Sequence, residues 1–299
     1  MAGAPDRQEA GGIYVEIAIR AERDALWRAT QTPELHQRWD LRFTRIEYLP
    51  KQSETEPQRF LYATRIGFGR EIRGAGESTG TRGQTSALRF WSDDGKSLIR
   101  EGSGYWRYQP LESGTRFLTW YDYRTRFGAA GRAFDRALFR PLIGWATAWS
   151  FDRLRLWLER GVPPETAARM AAIHALARAG IGFVWLWQGL LPKLLFPSPD
   201  ERAMIAASGL PAAAVSWAGA AEIAFAVATF ALWRWRPWLL WNAAAMAAAL
   251  AAVALRSPSY LVAAFNPVSL NLAVALLAVA GYLAAADAPC AARCRRRPQ

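Results

Sequence analysis

The chain has 299 residues, with 37 Lys+Arg against 25 Asp+Glu and a formal charge of +12, which excludes a disordered acidic tail and a small disulfide scaffold. A near-zero mean hydropathy of -0.04 conceals two unlike halves, since residues 161–299 hold only 11 basic and 5 acidic residues. That half contains four apolar runs of about 20 residues, the length a helix rising ~1.5 Å per residue needs to cross ~30 Å of hydrocarbon, so a single soluble globule is excluded too.

Residues 1–12 are polar, lack the apolar stretch of a secretory signal peptide and are expected to be disordered, which leaves the first domain in the cytoplasm. Ordered chain opens with an alternating strand in which Ile13, Val15, Ile17 and Ile19 share one face. A helix containing Asp24, Leu26 and Trp27 follows, and Thr32-Pro33-Glu34 reads as an N-cap with proline at the first helical position, starting a second short helix through His36 to Trp39. Trp39 and Asp40 are expected to pack and cap its end.

From Phe43 to Arg126 the period becomes two, and Gly, Pro, Asp and Ser clusters divide the segment into about six antiparallel strands. In the clearest, Phe60, Tyr62, Thr64 and Ile66 alternate with Leu61, Ala63 and Arg65, and Phe117, Thr119, Tyr121 and Tyr123 alternate with Leu118, Trp120, Asp122 and Arg124. Gly102-Ser103-Gly104 inside the strand from Leu98 to Tyr108 signals a bulge or a close backbone approach. Gly131 to Arg160 is helical in pattern, interrupted only by Pro141, with an apolar stripe that packs on the sheet.

This order, together with local features such as TPELHQRWDLRFTRIEYL (32–49), makes residues 13–160 resemble the START-like polyketide cyclase/dehydrase superfamily (SRPBCC). The resemblance implies an α+β helix-grip fold, an antiparallel sheet wrapped on a long C-terminal helix, with a deep apolar cavity between them for a lipid, polyketide or other hydrophobic ligand. Tyr62, Glu101, Tyr121, Trp145 and Trp149 are the expected ligand-binding residues. An enzyme would need acid–base groups facing that cavity, and Glu101, Asp122, Arg100 and His36 are the candidates; charged strand residues are more often solvated, so catalysis is not the favoured reading.

Residues 161–171 (GVPPETAARMA) read as a linker, 172–286 as a four-helix membrane domain and 287–299 as a basic cytoplasmic tail. The spans read Ile173–Phe196, Ala212–Trp233, Pro237–Leu255 and Leu261–Ala284, an all-α transmembrane bundle. Arg153, Arg155, Arg160, Arg169, the Arg234–Arg236 turn and the arginines of the tail place both termini in the cytoplasm of an inner-membrane, multi-pass bacterial protein, with Asp200-Glu201 outside. Trp185 and Trp187 sit deeper than the other tryptophans, either at the interface or inside the bundle.

WLWQGLLPKLLFPSPDE (185–201), AGAAEI (218–223) and AFNPVSLNL (264–272), in that order, resemble the signature segments of DoxX-like four-helix membrane proteins. The wider DoxX group is linked to redox and quinone chemistry, so the resemblance implies a fold and a location more than a reaction. Counting along the expected spans puts Glu222 and Asn271 ~15 Å deep and Gln188 ~12 Å deep, one polar level supplied by three helices, with Lys193 and Asn266 above it. An ionisable residue at that depth faces the bundle interior, either fixing helix packing by hydrogen bonds or holding a proton, a quinone or a lipid head group. Lys193 is expected to snorkel outward, the alternative being a turn toward Glu222.

Several function classes fall away. With His36 and His174 alone, bis-histidine haem in the bundle is excluded and no metal is expected; Cys290 and Cys294 make a poor zinc site; no cofactor motif, P-loop or nucleophile elbow occurs. Arg makes up 34 of the 37 basic residues, which reflects composition rather than nucleic-acid binding. The sequence thus describes a membrane protein whose partners are lipids and a hydrophobic small molecule, binding it or passing it to or from the bilayer. Alternatives are a membrane-tethered cyclase or dehydrase and a DoxX-like redox-associated subunit. A carboxylate lining the pocket favours the enzyme.

Overall fold

The computed structural model describes residues 11–53, 55–264 and 266–298; most of the segment expected to be disordered, residues 1–10, lies outside them. The chain divides into two units, Met1–Ala168 with Pro289–Gln299, and Arg169–Ala288.

In the first unit β1 (Ile13–Ile19) leads into α1 (Arg23–Gln31) and α2 (Pro33–Trp39). Then come β2 (Arg45–Tyr48), β3 (Gln58–Gly67), β4 (Arg70–Thr81), β5 (Thr85–Trp91), β6 (Ile99–Leu111) and β7 (Gly114–Thr125). They form one antiparallel sheet of order β1-β7-β6-β5-β4-β3-β2, so the first strand closes an edge beside the last. A long helix follows: α3 (Gly128–Phe134), a π-helical segment (Asp135–Phe139) and α4 (Arg140–Arg160) run on without a break. Pro141 does not break it, because it follows directly on the π-helical segment, where the regular hydrogen-bond ladder is already interrupted. This is the helix-grip arrangement.

The expected strand faces hold. Phe117 is fully buried and stacks on Phe151 of α4 with centroids 4.5 Å apart, and the Trp39 indole, also fully buried, donates to the Ala29 carbonyl at 2.9 Å. Curvature comes from glycines opposite aromatics. Gly76 pairs with Phe60 and Phe90, and Gly102 with Phe90; a Cβ at either position would collide with those rings, so the rings lie flat across the strands. The glycines of β6 therefore mark close approach, while the bulge falls at Arg100, where the register with β7 shifts between Ile99 and Glu101.

Two segments differ from expectation. Gly161, in the left-handed region at φ 66°, ends α4 by returning its N–H to the Trp157 carbonyl at 3.0 Å, and α5 begins at Pro164, so most of the expected linker is helix. The tail is part of the folded unit. Arg295 exchanges both backbone hydrogen bonds with Glu16 at 2.9 Å on the open edge of β1, and the Cys290 N–H donates to the buried Asp152 carboxylate at 2.7 Å. Its basic composition hid this, because Ala291 and Cys294 are the buried residues that anchor it.

The second unit contains α5 (Pro164–Gly189), extended by a π-helical segment (Leu190–Leu195), the short α6 (Pro199–Ala207), α7 (Ala214–Ala231), α8 (Trp238–Arg256) and α9 (Pro267–Ala284). Four of these helices are long and apolar enough to span a membrane: Pro164–Leu195, Ala214–Ala231, Trp238–Arg256 and Pro267–Ala284. Ile181, Leu239 and Ala278 are fully buried at its centre, while Leu176, Trp217 and Leu255 are left bare as a lipid-facing surface would be. The last span starts later than Leu261. Pro258–Val262 is a 3-10 turn, and Asn266 caps α9 by accepting from the Ser269 N–H at 3.0 Å, with Pro267 at the first helical position.

Candidate functional site

In the first unit a cavity of about 480 Å³ opens between the concave face of the sheet and the long helix. Each strand contributes through its inward parity. Phe60, Tyr62, Thr64 and Ile66 from β3, Thr119 and Tyr121 from β7, and Leu142, Ile143 and Ala146 from α4 all line it. Burial pushes the Tyr62 and Tyr48 phenols up to about 12, so both are neutral at any physiological pH.

The polar end of this cavity was not foreseen. His36 and Arg42 line the wall, and the fully buried Asp40 joins them. Arg42 grips Asp40 through Nε at 2.9 Å and Nη2 at 2.7 Å, the planar fork meeting both carboxylate oxygens, and His36 Nε2 lies 3.0 Å from Asp40 Oδ2. Burial raises the Asp40 pKa, but the Arg42 charge and the hydrogen bonds from His36 and Arg42 outweigh it and hold the carboxyl well below the usual range. Burial lowers the His36 pKa more than Asp40 restores it, so the imidazole is neutral. The Arg42 guanidinium lies over the Tyr121 ring, 5.4 Å from its centroid. Tyr121 is held in turn by Thr147 at 2.8 Å. Asp40 thus does more than cap α2: it neutralises a cation at the edge of an apolar cavity.

Of the five expected pocket residues, the structure brings Tyr62 and Tyr121 to the cavity. The other three are corrections. Glu101 shares the outward parity of Tyr105 and Arg107, opposite to Trp106 on the cavity wall, and pairs with Arg124 at 3.3 Å; the bulge at Arg100 turns only Ile99 inward. Trp145 and Trp149 stack on each other outside the cavity at 6.3 Å, while their neighbours Leu142, Ile143 and Ala146 face in. Among the catalytic candidates Arg100 is exposed and Asp122 is bound by Arg140 at 2.9 Å, which leaves His36 alone on the wall. Among the described residues no Asp or Glu lines the cavity.

In the second unit Gly189 of α5 and Gly219 of α7 bring the two backbones so close that a Cβ on either would meet the other's carbonyl oxygen. That approach carries Lys193, on the π-helical segment, to Glu222: its ammonium lies 3.1 Å from Glu222 and 3.1 Å from Glu201 of α6. Lys193 is buried and turned inward, because two carboxylates there outcompete the route to the head groups. The three-helix polar level is replaced by this cluster. Asn271 lies only four residues into α9, Asn266 is occupied as its cap, and Gln188 contributes its backbone carbonyl to Lys193 at 3.4 Å.

A second buried cation escaped the sequence reading. Arg178, fully buried on α5, donates to His174 at 3.0 Å and to the backbone carbonyls of Thr229 and Trp235, so it satisfies the end of α7. An arginine inside an apolar run was the available signal. Trp185 is the inward tryptophan, bonded to Asn242 at 2.7 Å, and Trp187 faces out.

A helix-grip unit with an apolar cavity, fused to four membrane-spanning helices, defines the class of protein. The DoxX-like family matches residues 182–279. The chain is 49% identical over 183 residues to the uncharacterized membrane protein YndG of Bacillus subtilis (strain 168), covering 59% of this chain and 68% of that protein. It therefore belongs to the family of membrane proteins that includes YndG. Solved structures similar to the N-terminal half include TTHA0849 from Thermus thermophilus, 15% identical over 49% of this chain and 97% of that one at a TM-score of 0.40. The di-domain ARO/CYC StfQ of the steffimycin biosynthetic pathway is 11% identical over 50% of each chain, with a TM-score of 0.39. Zhui aromatase/cyclase from Streptomyces sp. R1128 is 13% identical over 48% of this chain and 96% of that one, with a TM-score of 0.38.

Proposed function

We propose that the helix-grip unit binds a hydrophobic small molecule and exchanges it with the bilayer in which the second unit is embedded. The observation that carries this reading is the cavity: about 480 Å³, walled by aromatic and aliphatic side chains, with a neutralised Arg42–Asp40 pair to receive one polar group of a largely apolar ligand. Binding is favoured over catalysis because no described lining residue is a carboxylate and the one imidazole on the wall is tied to Asp40.

The proposed location is the inner membrane with the helix-grip unit and both termini in the cytoplasm. The chain leaves the first unit at Ala168 and re-enters it at Pro289, so it crosses an even number of times, which four spans satisfy. Arg169, Arg234, Arg236 and the tail arginines then share the side of the helix-grip unit, against Arg202 and Arg256 opposite. A C-terminal alkaline-phosphatase fusion is expected to be inactive, and an active one overturns the orientation.

Mass spectrometry of molecules extracted from the gently purified full chain tests the ligand reading. The wild type is expected to retain an apolar molecule, and Ala146→Trp, which fills the cavity from α4, is expected to lose it while the rest of the fold is kept. Equal retention in both would place the ligand elsewhere, and a wild type that holds nothing and takes up no apolar fluorophore would end the reading.

A further inference from the structure

The rim of the cavity carries an exposed apolar surface that nothing in the first unit covers. At the tip of the β3–β4 hairpin Phe68 is fully exposed, held outward between Gly67 and Gly69 in the left-handed region at φ 49°. Facing solvent from the long helix, Phe134, Leu138 and Leu142 are each half exposed, three residues at a spacing of four along one row. Ile66, Phe134 and Leu142 are at once exposed and part of the cavity wall, so the apolar surface is continuous with the cavity interior. Soluble domains seldom leave such a patch bare.

Cations surround it. Arg65 and Arg70 flank the hairpin tip, Arg132 and Arg136 lie on the same helical segment, and all four are exposed. The acidic groups nearby are already engaged: Asp135 is buried against Arg140 at 2.9 Å, Glu71 holds Arg73 at 2.9 Å and Asp94 holds Lys96 at 3.4 Å. Apolar side chains ringed by arginine fit a bilayer surface rich in anionic head groups, with the rings at the acyl boundary and the guanidinium groups on phosphates. We infer that the cavity rim formed by the β3–β4 tip and the Phe134–Leu142 row docks on the anionic face of the membrane that holds the chain, so that the cavity opens into the lipid phase.

This inference builds on the ligand-exchange reading, but its test does not depend on any ligand. The full chain with Cys290→Ser and Cys294→Ser would carry a bimane fluorophore at Phe68→Cys, at Leu138→Cys or, as a control at the opposite end of the sheet, at Glu112→Cys. Each would be placed in nanodiscs of phosphatidylcholine with or without phosphatidylglycerol. Brominated acyl chains are expected to cut emission about twofold at positions 68 and 138 in the anionic discs, where a docked side chain sits ~5–10 Å into the interface, and to leave position 112 unchanged. Replacing Arg65, Arg70, Arg132 and Arg136 together by Gln should abolish that quenching while the melting temperature of the full chain stays as it was. Positions 68 and 138 as open to iodide as position 112 in anionic discs would overturn the docking, as would shielding that vanishes when labelled protein is diluted with unlabelled protein, which marks a contact between copies. Lost ligand with quenching intact would instead count against the ligand-exchange reading alone.

Discussion

The Lys193 ammonium lies 3.1 Å from the Glu222 carboxylate and equally close to that of Glu201. One cation thus serves two acids within an apolar bundle, and the balance is asymmetric. Glu222→Gln removes one negative charge and leaves Lys193 matched by Glu201, so the expected loss is about 1 kcal/mol, that of a single hydrogen bond. Lys193→Met leaves two carboxylates facing each other without a cation, and removing one partner of a buried pair costs about 3–5 kcal/mol. Thermal unfolding in detergent should therefore rank wild type, Glu222→Gln and Lys193→Met in that order. A Gln variant as unstable as the Met variant would show that Glu222, rather than the lysine, holds the cluster together.

Acid sensitivity follows from the buried trio in the first unit. Burial keeps His36 neutral in the folded chain, beside Asp40 and Arg42, whereas the unfolded chain takes up a proton near pH ~6.5. The unfolded state then binds more protons, so stability falls as the pH drops below ~6.5, by at most ~1.4 kcal/mol per pH unit for one such group. Asp40 acts at lower pH: its folded pKa is depressed, so its contribution is complete above ~3.9 and disappears as pH falls through the folded value. Melting curves between pH 7.5 and 5.5 should slope downward for the wild type and be flatter for His36→Gln. Parallel curves would mean that the imidazole is not the group responsible.

What could be read in advance was whatever is periodic. Strand parity placed Tyr62 and Tyr121 on the concave face, and the four apolar runs located the membrane unit. What failed was what depends on contacts made across the fold. Both faces of β6 carry aromatics, Tyr105 on one and Trp106 on the other, and nothing within the strand says which face meets the helix, so Glu101 was placed on the wrong one. Arg42 was not singled out, because Tyr121, the ring it lies over, and the cavity it lines meet it only after α2 has docked on the sheet. The tail had no period at all; its pairing with Glu16 depends on an edge strand 279 residues earlier in the chain.

That tail supplies the third prediction. Cys294 is buried, donates its thiol to the Ala148 carbonyl at 3.1 Å, and has its pKa pushed far above that of a free thiol, chiefly by desolvation and then by Asp152. It should alkylate much more slowly than a free cysteine in the folded chain and at the ordinary rate once unfolded. Removing residues 289–299 takes the Cys290 N–H from the buried Asp152 carboxylate, leaving Arg155 at 2.7 Å as its partner, and reopens the edge of β1. The expected cost is about 1–3 kcal/mol. Rapid labelling of Cys294 under native conditions would show that the tail does not stay docked.

The Arg42–Asp40 pair allows stability and binding to be separated. Arg42→Met alone should be strongly destabilising, about 3–5 kcal/mol, because it leaves the Asp40 carboxylate buried without a cation, with His36 and the backbone N–H of residue 42 to answer it. Adding Asp40→Asn removes the stranded charge, so the double variant should recover most of that loss, as buried pairs replaced by neutral groups commonly do. If the pair serves only to close the end of α2, the recovered double variant should also recover its bound molecule. The cavity geometry leads to a different expectation: Arg42 lies on the cavity wall with its charge held by Asp40, and a methionine offers nothing to a polar head. The double variant should therefore melt near the wild type and yield little of the co-purifying ligand. Measuring both quantities on the same preparations decides it, since full ligand yield at restored stability would reduce Arg42 to a packing residue, and Arg42→Lys, which keeps the charge but not the fork, should fall between the two.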